Sequence, residues 1–464
     1  MCLPKKNRLK LIDLWCLACL LCPIVVVAQP SIWQPTTDSL NSVWNVSPSS
    51  IGTVINQGCL FNSDVFLSSQ EPRYTGLLGY QWKKKYAKSS VEFTPYVIIS
   101  QAHRWNTTDR RIGAKDSLRQ HLGMRYDASI YWKWRPVKYL RIEAGRDKHK
   151  LGIGINSLLW NGEGSPYWFA GAKLHTKHIR YQVRFNRINS QFTSNMAANS
   201  GTKWVAQHTL SYVSNRWQLS LYEAVIWGAQ DVQVNRGFDW HYLSPALIYR
   251  PAEFNAGSAD NVILGLDARI HLHEKLSVYT QLVVDEFLLD EIRKNDGWWA
   301  NKFGGLIGAS FQGKKHCVVA ELLAVRPFTY SHGNTTIAYV NQETPFGAFR
   351  GAGLAEANLF WQYRFSSHWQ FGVQGSGGSY YQSASDGGNP FISYNERIAN
   401  RGYQLLAPDN IIRAQASGAV SYLLFSKLNT WLTLWGGSSY NQQTAKAEPW
   451  FQIKISNTLF SIFP

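Results

Sequence analysis

Cysteine is scarce in this chain, with only six among 464 residues. Four of them precede residue 28, so Cys59 and Cys317 are the only ones beyond it. Two cysteines cannot form the multi-bridge framework of a small disulfide-rich protein. They form either one disulfide or two unrelated buried thiols, and the sequence leaves both alternatives open.

Long apolar runs are missing as well, apart from one near the N-terminus. Leu14 to Val27 is apolar, follows the basic residues Lys5, Lys6, Arg8 and Lys10, and ends on Val26-Val27-Ala28. A basic segment, an apolar run and small residues at a cleavage point are typical of a secretory signal peptide. We therefore predict that residues 1–28 are a signal peptide. No later stretch approaches the ~20 apolar residues that a transmembrane helix needs.

Charge is also low, at 17% of residues, against about 25% in an average soluble domain. Basic residues still outnumber acidic ones by 47 to 30, for a net charge of +17. This surplus favours anionic partners, namely lipopolysaccharide phosphates, acidic glycans or anionic solutes. No nucleic-acid partner is expected, because an exported chain without a recognisable binding motif gives no reason for one.

What the chain has in abundance is two-residue alternation. In residues 261–273, Leu264, Leu266, Ile270 and Leu272 share one face of an extended strand with Val262 and Ala268. Asp267, Arg269 and His271 fall on the other face. Alternate side chains of a strand point to opposite faces, so one face is apolar and the other mostly polar. A soluble sandwich and a membrane barrel share this pattern, and the connections between strands separate them.

The connections alternate between short polar turns and long loops. Short turns are expected near residues 85–89, 135–136, 176–177, 214–216, 274–275, 314–315, 366–367 and 427–429. Longer loops are expected at about 149–167, 188–202, 228–259, 288–299, 329–354, 380–408 and 440–448. Short periplasmic turns and long extracellular loops are the pattern of a bacterial outer-membrane barrel. With 20 Trp, 23 Tyr and 22 Phe, the chain can also supply the aromatic girdles of such a barrel.

The fold class predicted is therefore all-β, a transmembrane antiparallel β-barrel. Counting strands around the turns gives about seventeen, and the even number of bacterial single-chain barrels favours 18 strands, with 16 as the alternative. The predicted organisation is residues 1–28 as signal peptide, 29–57 as a periplasmic N-terminal extension and 58–464 as the barrel. The expected location is the bacterial cell outer membrane.

Extending the alternation assigns a set of charged residues to the lumen: Arg125, Asp127, Arg180, Arg184, Asp267, Arg269 and Arg364. One interpretation is a basic, selective channel. The other is a set of structural ion pairs that fills the barrel, because inward charge must be neutralised.

Enzymatic activity is not predicted, although some residue clusters deserve testing. An acidic group at Asp285–Asp296 could hold a divalent cation, but rim charges paired with Arg293 and Lys294 are the commoner arrangement. Asp147 with His149 and Asp239 with His241 lack a serine nucleophile signature. No metal and no cofactor are expected.

Several ordered segments resemble a known family. They include Gly145-Arg146-Asp147, Gly152-Ile153-Gly154, Tyr242-Leu243-Ser244-Pro245, Gly297-Trp298-Trp299-Ala300-Asn301-Lys302 and Val325-Arg326-Pro327-Phe328-Thr329-Tyr330-Ser331-His332. In this order the segments, which span about residues 139–354, resemble the Wzi-type capsule-assembly barrels and their RemB-like gliding-motility relatives. The resemblance implies an 18-stranded outer-membrane barrel that helps to retain surface polysaccharide or associates with surface motility.

The candidate glycan contacts lie around the loop after Asp147. Arg146, Lys148 and Lys150 supply charge, and Trp160, Tyr167 and Trp168 supply flat rings for stacking on sugars. Gly152 and Gly154 allow this loop to turn tightly or to fold into the barrel mouth. Three functions remain open: a barrel for capsule assembly or polysaccharide retention, a docking scaffold for surface or secretion proteins, and an anion-preferring porin. Outer-membrane lipid and lipopolysaccharide are expected around any of them.

Overall fold

The structure, a computed structural model, describes residues 57–68, 73–100, 123–152, 154–189, 201–229, 236–243, 260–341, 344–381, 387–406, 410–426 and 429–456. The predicted signal peptide and most of the predicted N-terminal extension lie outside these residues. Among the described residues, no helix is long and apolar enough to cross a membrane.

Twenty β-strands make up nearly all of the regular structure. They are β1 (Gln57–Ser68), β2 (Arg73–Lys85), β3 (Ser89–Ser100), β4 (Gly123–Val137), β5 (Leu140–Asp147), β6 (Tyr167–His175), β7 (Ile179–Asn189), β8 (Thr202–Val213), β9 (Trp217–Gly228), β10 (Asn261–His273), β11 (Leu276–Glu286), β12 (Lys302–Gln312), β13 (His316–Val325), β14 (Val340–Asn341), β15 (Thr344–Pro345), β16 (Leu354–Arg364), β17 (Trp369–Tyr380), β18 (Ile411–Phe425), β19 (Thr430–Asn441) and β20 (Lys446–Ser456). The described helices are short: α1 (Leu289–Lys294) and 3₁₀ turns at Trp240–Leu243, Thr335–Ile337 and Tyr394–Glu396.

All strands except β14 and β15 belong to one 18-stranded antiparallel sheet in which neighbours in sequence are hydrogen-bonded neighbours. The first strand also pairs with the last, from Asn62 opposite Ser456 to Ser68 opposite Trp450. Every strand of the sheet therefore has two partners, as an outer-membrane barrel requires where no water can satisfy a free edge. The predicted fold class and the favoured count of 18 strands are confirmed.

The burial of side chains is inverted relative to a soluble protein. On β20, Phe451, Ile453 and Ile455 are exposed, whereas the alternating polar residues Gln452 and Lys454 are buried. On β10, Asp267 is buried and Leu264 and Ile270 are exposed. The apolar face therefore points outward to lipid and the polar face inward to the lumen, as the alternation predicted.

The short turns are closed by side-chain hydroxyls. Ser214 Oγ accepts hydrogen bonds from the backbone N–H groups of Arg216 and Trp217, at 3.3 and 3.1 Å. Ser366 does the same for His368 and Trp369. Ser and Thr favour such turns because their side chains replace a lost ladder hydrogen bond.

Two connections differ from the prediction. The turn expected at 135–136 lies at residues 138–139, because β4 continues through Pro136 to Val137 with a register shift after Trp134. Proline lacks a ladder donor and is accommodated at such an irregularity. The loop expected at 440–448 is a tight turn of four residues, because β19 and β20 pair as far as Asn441 and Lys446.

The orientation of the strands predicts opposite tolerance at two adjacent residues. Leu266 lies on the outward face between Leu221 and Leu282, whose side chains are exposed. Leu266→Arg should cost ~2–4 kcal/mol of folding free energy if it lies near the bilayer midplane. Asp267→Asn should cost less, because an amide oxygen can still accept the hydrogen bond from Gln281 Nε2. Urea titrations of folding into lipid vesicles measure both, and equal losses would contradict the assignment of faces.

Candidate functional site

The segment between β5 and β6, residues 148–166, folds into the barrel and is called here the first inner loop. Its residues Leu158, Leu159 and Trp160 are at most 2% exposed and pack in one cluster with inward residues of the barrel wall. A bridge between Leu151 and Trp160 closes the loop on itself. The glycine-bearing loop thus enters the lumen, which the sequence allowed but could not require.

Glu321, on the inner face of β13, anchors the first inner loop. Its carboxylate accepts the backbone N–H groups of Ile155 and Asn156 at 2.5 and 3.0 Å, and the Asn156 side-chain amide at 2.9 Å. The Tyr279 hydroxyl donates to the same carboxylate at 2.7 Å. Four donors therefore converge on one buried carboxylate, which satisfies both the charge and the loop backbone.

A second wall residue, Gln281 on β11, holds the next turn of the loop. Its Oε1 accepts the Leu158 N–H at 2.8 Å, and its Nε2 donates to Asp267 at 3.0 Å. Gly152 and Gly154 adopt positive φ angles of 87° and 115°, and a Cβ at either would collide with Gln281 or Glu321. Glycine is required here because both the backbone angle and the close approach exclude a side chain.

The segment between β13 and β16, residues 326–353, is the second inner loop, and it packs on the first. Tyr330 and Tyr339 donate hydroxyl hydrogen bonds to the carbonyls of Leu158 and Leu159. Asn161 donates its amide to the Pro345 and Gly347 carbonyls at 2.8 and 2.6 Å. The two loops therefore form one body, although about 180 residues separate them in sequence.

The wall also grips the second inner loop directly. The ammonium of Lys203, on β8, donates to the Ala338 carbonyl at 2.7 Å, and the Asn261 amide donates to the Ile337 carbonyl at 3.0 Å. Asp285, ion-paired with Lys302 at 3.0 Å, accepts the Tyr330 N–H at 2.8 Å. Polar inward residues of β8, β10, β11 and β12 thus hold this loop inside the barrel.

Of the predicted glycan contacts, Trp160, Tyr167 and Lys150 are internal. Trp160 stacks on Phe346 with ring centroids 3.7 Å apart, lies against His149 on another side, and donates Nε1–H to Tyr167 at 2.7 Å. Lys150 Nζ donates to two carbonyls of its own loop. In this conformation these residues stabilise the inner loops, and their ring faces are covered.

The remaining glycan candidates stay near the barrel rim. Arg146 is ion-paired with Asp127 and also donates to the Ala128 carbonyl at 2.6 Å. Lys148 is half-buried at the start of the first inner loop. Trp168 is 53% exposed and, one residue from the inward Tyr167, faces out of the barrel. The structure therefore divides the predicted set between the lumen and the outer surface.

The predicted lumen residues are mostly held by fixed partners. Arg184 lies 3.5 Å over the Phe169 ring and donates to Asn186, Asp267 receives the Gln281 amide, and Arg269 donates to Ser277 at 3.3 Å. Arg180 and Arg364 lie at the periplasmic ends of β7 and β16. The side chain of Arg125 lies outside the described residues. Charge neutralisation accounts for the inward arginines and aspartates that are described.

Outside the lumen, three loops meet over the barrel mouth and are called here the outer lid, residues 287–301, 326–335 and 387–406. Backbone hydrogen bonds join Trp299 to Asn400 and Tyr403 to Gly297. Arg326 donates to the carbonyls of Asn301 and Tyr403 at 2.7 and 3.2 Å. The Val325–His332 and Gly297–Lys302 segments that carried the family resemblance therefore meet in space.

Aromatic and basic side chains alternate on the outer lid. The Arg397 guanidinium lies 4.1 Å from the Trp299 ring, which itself packs against Tyr394, and Arg401 lies 5.1 Å from Trp298. Sequence reasoning placed Trp299 at the rim but missed Arg397 and Arg401. A cue was present, since both arginines belong to a polar stretch within one predicted long loop.

The acidic group at the rim is ion-paired rather than arranged around a cation. Lys294 pairs with Glu291 at 2.6 Å, and Arg401 pairs with Glu291 and Asp296. Hydrogen bonds from Arg401 and Lys294 lower the pKa of Glu291. Among the described residues, no group of three potential ligands could hold a metal ion.

Burial shifts the pKa of several loop residues. It lowers the pKa of the Lys150 amine to about 8, although Glu321 and Glu163 oppose the shift. It also lowers the pKa of His149 well below its usual value and that of His332 to about 4. Both imidazoles are therefore neutral at pH 7. The Asp239–His241 pair is an exposed contact of 2.9 Å in which Asp239 also binds Arg236.

Comparison with known proteins shows the fold. No protein-family profile and no curated protein sequence matches the chain. Among solved structures, Wzi of Escherichia coli, described as an outer membrane protein involved in group 1 capsule assembly and a carbohydrate-binding β-barrel, matches 86% of this chain and 85% of its own. The TM-score is 0.54 at 13% identity. The chain is a bacterial outer-membrane β-barrel.

Two Pseudomonas aeruginosa barrels are also similar. The outer membrane protein OprD covers 88% of this chain and 94% of its own at 11% identity, with a TM-score of 0.47. OccK2, solved in complex with glucuronate, covers 86% and 97% at 11% identity, with a TM-score of 0.46. These likenesses concern architecture, and no structure in this group is described as an enzyme.

The Glu321 anchor predicts how the barrel can be opened. Glu321→Gln leaves one acceptor oxygen where four donors converge, and each stranded donor costs about 1–3 kcal/mol. The first inner loop should leave the wall, and ion conductance in planar bilayers should rise. Gly154→Ala should act in the same way, because its Cβ would meet Glu321 and Tyr279.

Glu92→Gln is the matched control, because Glu92 pairs with Lys83 on β2 and β3, away from the inner loops. It should leave conductance unchanged. Wild-type conductance in Glu321→Gln, with normal heat-modifiable folding on gels, would show that this carboxylate does not hold the loop.

Proposed function

We propose that this barrel retains an anionic surface polysaccharide at the cell surface, without enzymatic activity. The observation that carries the proposal is the division of the molecule into a lumen filled by its own loops and an outer lid rich in aromatic and basic groups. A barrel with this division offers its binding chemistry at the outer mouth.

The filled lumen favours retention over solute flow. Trp160, Phe346 and Tyr339 form a buried aromatic core inside the barrel, and the carbonyls of both inner loops are bonded to wall residues or to each other. A porin needs a continuous aqueous path, whereas these contacts occupy the space between β6 and β16 along the wall. The anion-preferring porin remains the alternative that a conductance measurement separates.

The outer lid has the chemistry to bind an acidic glycan. Arg397 donates to the Tyr394 carbonyl and to Asn400, and its guanidinium has no acidic partner among the described residues. The half-buried rings of Trp298 and Trp299 lie beside it. Arginine binds carboxylate and phosphate groups in a bidentate manner, and aromatic faces stack on sugar rings. Arg146, Lys148 and Trp168 would extend this surface along the rim.

The likeness to Wzi supports the proposal only as architecture, because identity is 13%. That protein is described as carbohydrate-binding and involved in capsule assembly. The same role is proposed here because the residues of the outer lid fit it independently.

A docking scaffold for surface or secretion proteins is the second candidate. Phe287, Leu288 and Leu289, at the start of the segment that forms α1, are each more than half exposed beside charged residues. An exposed apolar group with a charged rim is typical of a protein interface. Co-purification of a surface protein that is lost in Leu288→Asp and Leu289→Asp would favour this function.

Polysaccharide retention is tested with Trp298→Ala and Arg397→Gln. Each variant should shed surface polysaccharide into the medium, because one removes a stacking face and the other an uncommitted cation. Purified wild-type protein should bind extracted anionic glycan more weakly as salt rises, since exposed charges are screened over ~8 Å at physiological ionic strength. Cell-bound polysaccharide is measured by sedimentation and by assay of acidic sugars.

Trp132→Ala is the control, because Trp132 is an exposed aromatic on the outward face of β4, away from the lid. It should retain polysaccharide like the wild type. If both lid variants also retain it, and purified protein binds no glycan at low salt, the docking function takes precedence.

A further inference from the structure

An uninterrupted row of aromatic and basic residues crosses the outer surface of the barrel from β5 to β9. Cross-strand pairing sets Arg146 opposite Trp168, Trp168 opposite Arg187, Arg187 opposite Trp204, and Trp204 opposite Trp227. Adjacent strands are about 4.8 Å apart, so each arginine has a tryptophan as its neighbour at that spacing.

The row faces outward, as the neighbours of its members show. Tyr167 and Phe169, on either side of Trp168, are buried among lumen residues. Ile188 belongs to the inner cluster, and Arg187, the residue before it, is exposed. Lys203 points inward to the second inner loop, so Trp204 points out. Alternation therefore assigns every member of the row to the outer face.

The row lies at the level of the outer leaflet. Each member is within three residues of the strand end that leads into a long loop, and long loops are extracellular in such barrels. A second segment, Arg236–Leu243, packs over its β9 end. Phe238 contacts Trp204 and Trp227 edge-on, with centroids 5.0 and 5.8 Å apart. Trp240 continues the aromatic surface and is 72% exposed.

Arg187 is the uncommitted charge of this surface. Arg146 is neutralised by Asp127, and Arg236 by Asp239 and Asp260. Arg187 has no acidic partner among the described residues, and it stands between Trp168 and Trp204. A guanidinium flanked by two rings at a membrane interface fits a phosphate with a sugar on either side.

We propose that this surface binds the phosphorylated sugar headgroup of an outer-leaflet glycolipid, with Arg187 on the phosphate and Trp168 and Trp204 against the sugar rings. An ordinary aromatic girdle needs only rings, and a phospholipid headgroup offers no sugar for them. The alternation of rings with a free cation favours the glycolipid. The inference is independent of the outer lid, so it stands or falls separately from the proposed function.

The test uses the full barrel in neutral detergent with bisphosphorylated lipid A as the probe, and native mass spectrometry measures the bound fraction. Arg187→Gln should weaken binding about tenfold, because it removes a charge-assisted hydrogen bond. Trp168→Ala should weaken it severalfold, and Arg187→Lys should keep part of it. Arg180→Gln, on the same strand but at its periplasmic end, should bind like the wild type.

Three results would overturn the proposal. One is wild-type binding by both Arg187→Gln and Trp168→Ala. Another is binding of phosphatidylglycerol as tight as that of lipid A, which would assign the surface to phospholipid. The last is equal binding of lipid A from which the phosphates have been removed. Heat-modifiable folding on gels confirms that each variant is folded before binding is compared.

Discussion

A carboxylate buried inside a membrane barrel must be solvated by the protein itself, and Glu321 is the clearest case. Burying an ionised group without partners is prohibitively costly, so the barrel can keep Glu321 only if donors are delivered to it. Two backbone N–H groups and a side-chain amide of the first inner loop, with the Tyr279 hydroxyl, are those donors. The loop in turn needs acceptors for its buried backbone. Wall and loop are therefore mutually dependent, and the filled lumen follows from this dependence.

Once the first inner loop is fixed, it becomes the platform for the second. Its Leu158 and Leu159 carbonyls accept the hydroxyls of Tyr330 and Tyr339, and its Trp160 ring stacks on Phe346. The second inner loop then leads into the outer lid through Arg326. Contacts thus pass continuously from mid-wall to cell surface, so a variant that frees the first loop should also disturb the mouth. A readout of surface binding alone cannot distinguish these causes, which is why conductance is measured separately.

The sequence predicted the strands well because alternation and turn chemistry are local. The β10 pattern and the Ser214 and Ser366 turns could be read without knowing any distant partner. The role of Trp160 could not, because an aromatic ring beside two glycines suits a sugar platform as well as an internal stack. The choice depends on Phe346, 186 residues away. The 440–448 loop was likewise misjudged because Ala445 adopts a positive φ of 51°, which closes a tight turn that its residue type does not advertise.

The distribution of the basic surplus ties these features together. Inside the barrel, Arg184 and Arg269 are held by rings and hydroxyls, and Lys302 by Asp285, so inward cations serve structure. Lipid-facing mid-strand positions exclude charge because of its cost in hydrocarbon. A net positive chain must then present its free cations at the ends of strands and in loops. Arg187 and Arg397 are two such cations, each beside tryptophan, and their separate positions on the outer wall and on the outer lid make two anion-binding surfaces a physical consequence of one folded barrel.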